Sequence, residues 1–217
     1  RALVNDKAFK AKEKVNGGEV VTLSIIQEKS NAWLGEDIPI DVVYEDDDII
    51  VLNKPVGLVT HPGAGNWTGT LANALLHYEP ALATLDRAGI VHRLDKNTSG
   101  LMVVARSELA QKKLVEQLQM HVVSREYSAI VYGHMISGGS VDAPIGRDPK
   151  DRIRQAVVEE GEGKEAVTHY RVIDRFKHHT HVKCILETGR THQIRVHMAY
   201  VEHPLIADPM YGGKIRF

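Results

Sequence analysis

The sequence predicts an α+β fold: a largely antiparallel mixed sheet flanked by helices and loops, with a β-rich remnant at the N-terminus. Three observations carry this. Strand-like segments outnumber helical ones. The two kinds do not alternate regularly, as a doubly wound parallel sheet requires. The composition, 43% hydrophobic and 25% charged over 217 residues, is that of a globular protein with enough chain to bury most of its apolar surface.

Taken in order, residues 1–30 read as a short β-rich piece. Ala2-Leu3-Val4 precedes an Asn5-Asp6 turn and a lysine-rich stretch, and Glu19 to Ile26 has the β-branched content of a strand. Residues 31–39 are polar, end in Pro39 and read as a linker. A second unit, 40–217, opens with strands at Val42 to Tyr44 and Ile49 to Leu52, joined by the acidic turn Glu45 to Asp48. Leu71 to Leu76 reads as a short helix, and the apolar run Gly100 to Ala105 as a buried strand. Glu108 to Met120 has near-helical apolar spacing behind Ser107, a suitable N-cap. Strands are expected at Tyr127 to Tyr132, Val167 to Val172 and Val182 to Leu186, with loops and short strands over 138–164. His192 to Val201 reads as a helix that His203-Pro204 stops. The chain starts at Arg1 rather than Met and ends soon after Tyr211-Gly212-Gly213, so it reads as a piece of a longer protein with an incomplete C-terminal end.

Composition narrows the function classes. No apolar run approaches the roughly 20 residues of a membrane span, and no signal peptide opens the chain. The single cysteine, Cys184, forbids an internal disulfide, fits a reducing cytoplasm and removes any cysteine-based zinc site. Of the 12 histidines, His178, His179 and His181 cluster, and that cluster reads as a polar turn between strands. His192 and His197 are five apart, a spacing that does not put two ligands on one helical face. No metal site is expected. No Gly-x-Ser-x-Gly elbow marks a serine nucleophile.

The stretch richest in chemistry is Val91-His92-Arg93-Leu94-Asp95-Lys96-Asn97-Thr98-Ser99-Gly100, a polar loop feeding the strand Leu101 to Ala105. Asp95 lies between Arg93 and Lys96, cations that favour a charged carboxylate, and an ionised carboxylate on a loop can act as nucleophile or base. On spacing alone it can equally cap the loop through Thr98 or Ser99.

These residues resemble the signature motif of the RluA family of RNA pseudouridine synthases. Further segments follow in family order. Asn53 to Pro62 is similar to the family's Lys-Pro-x-Gly segment, Arg125 to Ala129 to its tyrosine segment, and Gly189 to His197 to its arginine segment. His203 to Asp208 with Tyr211-Gly212 resembles the stretch beyond. His61 to Asn66 and Ala72 to Tyr78 point to the D type that acts on the ribosomal large subunit. More weakly, Leu3 to Asp6 with Gly17 to Val21 is similar to the end of an S4-type RNA-binding domain.

The resemblance implies the pseudouridine synthase fold for 40–217 and isomerisation of uridine in large-subunit ribosomal RNA, with no cofactor, since cleavage and re-formation of the glycosidic bond are redox-neutral. It implies Asp95 as the catalytic carboxylate, attacking either the ribose C1′ or a glycal left after base departure. Tyr127 is implied to stack on the extruded base and relay a proton, and Arg195 to pair with Asp95. Arg93 is implied to fill the gap the base leaves, because a stacked uridine must flip out to react. His92, Lys54, Arg190 and His192 are implied RNA-binding residues or pocket-shaping ones. The expected partner is ribosomal RNA or a ribosomal particle, met by a cytoplasmic monomer with no membrane partner. Without the resemblance, Tyr127 reads as strand packing, and Arg195 and Arg190 as a solvated helix face. Two other functions fit parts of the pattern: an RNA-binding assembly module with a decayed site, and a small-molecule isomerase or hydrolase.

The formal charge of −1 would seem to oppose an RNA partner. It conceals an asymmetry: residues 1–110 have four more acidic than basic side chains, and 111–217 three more basic than acidic. The acidic turn Glu45 to Asp48 is expected to face away from RNA.

Overall fold

The computed structural model describes residues 2–4, 7–8, 14, 17–23, 33–63, 65–151 and 153–212. At the N-terminus, β1 (Ala2–Val4), β2 (Lys7–Ala8) and β3 (Val21–Leu23) form an antiparallel sheet in the order β2-β1-β3. The Asn5-Asp6 turn, Lys10, Lys12, the Ser24–Ile26 end of the expected strand and 213–217 lie outside the described residues.

The next unit is a sheet in the order β4-β5-β6, made of β4 (Asp41–Glu45), β5 (Ile49–Lys54) and β6 (Gly100–Ala105), all antiparallel. Ile50 and Leu52 alternate along β5 and are fully buried, the period-two pattern of a strand with one core face. Helix α1 (Leu71–Tyr78) covers that face and buries Leu71, Ala72 and Leu75 completely. Residues 33–38 run across α1: Asn73 Nδ2 donates to the Leu34 carbonyl at 2.9 Å, and the Glu36 N–H to the Asn73 carbonyl at 2.9 Å. After two short 3-10 turns, Arg87, Ala88 and Gly89 all take left-handed φ values of 52°, 53° and 77°. Only glycine fits the last, since a Cβ there would stand 2.0 Å from the Ala105 carbonyl oxygen. Helix α2 (Glu108–Gln119) begins as expected, with Ser107 Oγ accepting the Ala110 N–H at 3.1 Å.

The second half is a four-stranded antiparallel sheet. Its members are β7 (Glu126–Tyr132), β8 (Gly139–Asp142), β11 (Val167–Arg175) and β12 (His179–Leu186), in the order β7-β12-β11-β8. The short strands expected over 138–164 include, besides β8, the hairpin of β9 (Ile145–Arg147) and β10 (Gln155–Val157). Helix α3 (Gln193–Tyr200) packs Met198 and Ile194 into a second core with Val131, Val182 and Cys184. The histidine cluster spans the turn between β11 and β12 and the start of the second strand: His178 lies in the turn, which the Phe176 N–H closes on the His179 carbonyl at 2.8 Å. β12 begins at His179, so His179 and His181 sit on its half-exposed face while Thr180 and Val182 are buried. Every strand-to-strand ladder among the described residues is antiparallel. No helix among them is long and apolar enough to cross a membrane.

The two cores meet at one residue. Tyr127, on β7, packs against both the α1 cluster and the α3 cluster. The groove along that seam is where the loop before β6 faces α3.

Candidate active site

A cleft of about 530 Å³ opens at the seam, and Asp95, Tyr127 and Arg195 all line it. Asp95 comes from the loop before β6, and that loop is fixed from behind. Thr60 Oγ1 donates to the Leu94 carbonyl at 2.9 Å, the Gly57 N–H to the Lys96 carbonyl at 2.8 Å, and the Thr98 N–H to the Asp95 carbonyl at 3.0 Å. Asp95 therefore turns the loop through its backbone, and its side chain is left to reach across the cleft. Arg195 Nη1 donates to Asp95 Oδ2 at 3.1 Å, and His192 Nε2 lies 3.9 Å from the same oxygen. Among the described residues nothing hydrogen-bonds Oδ1, which leaves that oxygen open to the cleft.

Arg195 is held in turn by a second carboxylate. Its Nε and Nη2 donate to Asp208 Oδ2 and Oδ1 at 2.7 and 3.1 Å, a bidentate fork. Burial opposes the Arg195 charge, but its hydrogen bonds to Asp208 and Asp95 outweigh it and raise its pKa. Asp208 is nearly buried, and burial pushes its pKa up. The Arg195 fork and the N–H groups of Met210 and Tyr211 more than reverse that, so its carboxyl titrates below the usual range. Below the guanidinium lies the Tyr211 ring, with its centroid 4.9 Å from the Arg195 Cζ. Tyr211 Oη is 2.8 Å from His192 Nδ1 and accepts the Gln155 N–H at 2.9 Å. His192 caps α3 in a left-handed conformation, φ 59°.

Tyr127 presents a largely buried ring to the cleft, and among the described residues its hydroxyl has no hydrogen-bond partner. Burial raises its phenol pKa; nearby Arg125 opposes the rise and Asp95 adds to it. The rim is cationic: Arg87, Arg93, Arg125 and Arg190 all line the cleft. None of Glu45 to Asp48 does.

A family model described as RNA pseudouridylate synthase matches residues 48–200, which include β5 to β12, α3 and the cleft residues Asp95, Tyr127 and Arg195. The chain belongs to this family. Ribosomal large subunit pseudouridine synthase D of Escherichia coli K12 is 57% identical over all 217 residues, which cover 66% of that protein. The protein of the same name from Xylella fastidiosa is 54% identical over 99% of the chain and 64% of its own length. The chain thus spans just under two thirds of these relatives. The solved structure of human RNA pseudouridylate synthase domain containing 1 superposes with a TM-score of 0.65 at 25% identity, covering 82% of this chain and 71% of that one. These likenesses establish the α+β pseudouridine synthase fold.

Within this synthase-family cleft, two of the side chains implied either to bind RNA or to shape the pocket make contacts of the second kind. Lys54 is fully buried and donates to the carbonyls of Pro55, Leu58 and Lys96 at 2.8, 2.9 and 3.3 Å. All three of its protons are used inside the protein, so it braces the Asp95 loop rather than reaching a phosphate. His92 lines the cleft, but its Nε2 accepts the Val103 N–H at 3.1 Å, and burial, helped by Arg125, pushes its pKa down to about 4. That contact ties the start of the Asp95 loop to β6. Arg93 is exposed on the rim, and Arg190 and His192 face the cleft half-buried. Sequence alone assigns no role to Asp208, Tyr211, Arg125 or Arg87, which the structure brings to the site. Asp208 and Tyr211 lay inside quoted family segments, but 13 and 16 residues of chain separate them from Arg195, and no local spacing announces the contact.

Proposed function

We propose that the chain carries the catalytic unit, residues 40–217, of an enzyme that converts uridine to pseudouridine in large-subunit ribosomal RNA. The observation that carries this reading is the Asp95 carboxylate, with one oxygen held by Arg195 and the other open to a cleft that Tyr127 lines. The target uridine flips into the cleft, its base against Tyr127 and its ribose at Asp95. The N1–C1′ bond breaks, the uracil turns, and C5–C1′ forms; C5 gives up its proton and N1 ends with one, so the product is an isomer. Asp95 supplies the charge or nucleophile at C1′, Arg195 orients it, and Tyr127 stacks on the base and passes the proton. Arg93, exposed on the rim, fills the space the base vacates. The names of the relatives support the ribosomal substrate.

Residues 31–39 serve as a linker, and 1–30 as the remnant of an S4-like RNA-binding appendage, with the enzyme acting as a cytoplasmic monomer. Basic side chains track phosphates, so binding weakens with salt. The test is carbodiimide labelling of an unmodified large-subunit rRNA transcript before and after incubation with the full-length protein. New pseudouridine supports an enzyme. Tight binding without new pseudouridine from folded protein would make it an assembly module instead.

A further inference from the structure

Four of the ten arginines among the described residues have a carboxylate within 4.0 Å: Arg87 with Asp86 at 3.8 Å, Arg106 with Glu79 at 2.9 Å, Arg154 with Asp148 at 3.8 Å, and Arg195 with two aspartates. Of the six others, Arg93 lines the cleft exposed, and two stand deeper in it, Arg125 and Arg190. Both line the cleft half-buried, and among the described residues neither has an Asp or Glu oxygen within 4.0 Å. Backbone oxygens hold them instead: Arg125 Nη2 donates to the Glu187 carbonyl at 2.6 Å, and Arg190 Nε to the Glu165 carbonyl at 2.8 Å. The Nε of Arg125 is buried with no partner. Arg125 lies against Gly189, the residue before Arg190; a Cβ on Gly189 would come within 2.5 Å of Arg125 Nη1. The two cations sense each other, since burial and then the charge of Arg190 depress the Arg125 pKa, with Tyr127 opposing.

Two neighbouring guanidiniums, fixed by carbonyls and without a counter-charge, are costly unless an anion joins them. A phosphodiester suits the position. It has two non-bridging oxygens, one for each planar fork, and a single negative charge that relieves the repulsion. We propose that Arg125 and Arg190 jointly clamp one phosphate of the RNA strand next to the uridine that Asp95 receives. This rests on the RNA reading above and adds a shared phosphate subsite to it. The clamp fixes the strand on the Tyr127 side of the cleft, so that flipping brings C1′ to Asp95.

The test measures binding of the unmodified large-subunit rRNA transcript over a salt series, in the Asp95→Asn background so that no turnover intervenes. The slope of log affinity against log salt counts neutralised phosphates. Arg125→Gln with Arg190→Gln should flatten that slope by about one unit in total. A loss of about two units overturns a shared phosphate, and an unchanged slope overturns the site. If the Arg125→Gln chain fails to fold by thermal melting, Arg125→Lys takes its place. With Arg190 left as it is, the lysine should keep the slope, because the phosphate stays neutralised, while weakening binding about tenfold through loss of the fork; undiminished affinity overturns the clamp. A wild-type chain whose binding ignores salt would instead overturn the RNA reading itself.

Discussion

The two walls of the cleft are built on different principles. The Asp95 wall is held by hydrogen bonds to main-chain carbonyls: Lys54, Thr60 and Gly57 grip the loop from behind, and among the described residues no ion pair joins them on that side. The Arg195 wall is held by charge and aromatic contact, with Asp208 forking the guanidinium and Tyr211 beneath it. The first wall sets where the carboxylate is. The second sets which way its partner points and keeps that partner charged. The separation is useful, because backbone pins do not respond to an incoming anion, whereas an unscreened ion pair would. Asp208 balances the charge of Arg195 within the protein, so the Arg195–Asp95 contact needs no outside anion to hold it.

The largest expected effect breaks the first wall. Lys54→Met leaves three carbonyls without their donor and should destabilise the chain by about 3 kcal/mol, read by urea denaturation. It should also abolish turnover by releasing the loop. Unchanged stability would mean that the loop is held by other means. Next comes the second wall. Asp208→Asn keeps the shape but removes the charge opposite a nearly buried guanidinium; it should cost about 2 kcal/mol and lower kcat at least tenfold, with KM little changed. Its pH signature has a definite sign. The folded pKa of Asp208 is depressed, so its contribution is complete above the ordinary carboxylate value near 4 and is lost as pH falls through the lower folded value. The wild type should therefore lose more stability than Asp208→Asn below pH 4.

A smaller effect separates braces from cations. His92 and His61 both have pKa values pushed down to about 4, mainly by burial. A histidine kept neutral in the fold takes up its proton more readily when unfolded, so stability is full above about pH 6.5 and declines towards pH 4. His92→Gln should make that decline shallower, by at most one proton in the stability slope. If His92 were a cation for RNA, the variant would instead reduce the salt dependence of binding. The smallest effect is the control. Lys113, paired with Glu116 on the exposed face of α2 at 3.2 Å, should change stability by less than about 0.5 kcal/mol and leave turnover unaltered when replaced by Ala.

How much of this was legible follows from distance along the chain. The Ser107 cap, the apolar run of β6 and the stop after α3 are local, and the structure has them where the sequence predicts them. The histidine cluster marks the turn between β11 and β12 as expected, but only His178 is in it; where the strand starts, at His179, shows only once the partner strands are known. At the site, motif segments pointed to Asp95, Tyr127 and Arg195, and the structure brings all three to one cleft. What they could not convey was direction. Lys54 points inward because the strand β5 ends in the core, and Asp208 meets Arg195 only through the return of the chain after α3. Charge patterning separated the acidic turn from the basic half, but not the paired arginines from the unpaired ones.

The central claim is that the Asp95 carboxylate performs the isomerisation in a cleft otherwise built to bind. Asp95→Asn tests it most directly, with RNA affinity and pseudouridine yield measured on the same unmodified large-subunit transcript. The account predicts affinity within about twofold of wild type and turnover reduced by at least about a thousandfold. Pseudouridine formed at a near-normal rate by the Asn variant would contradict it.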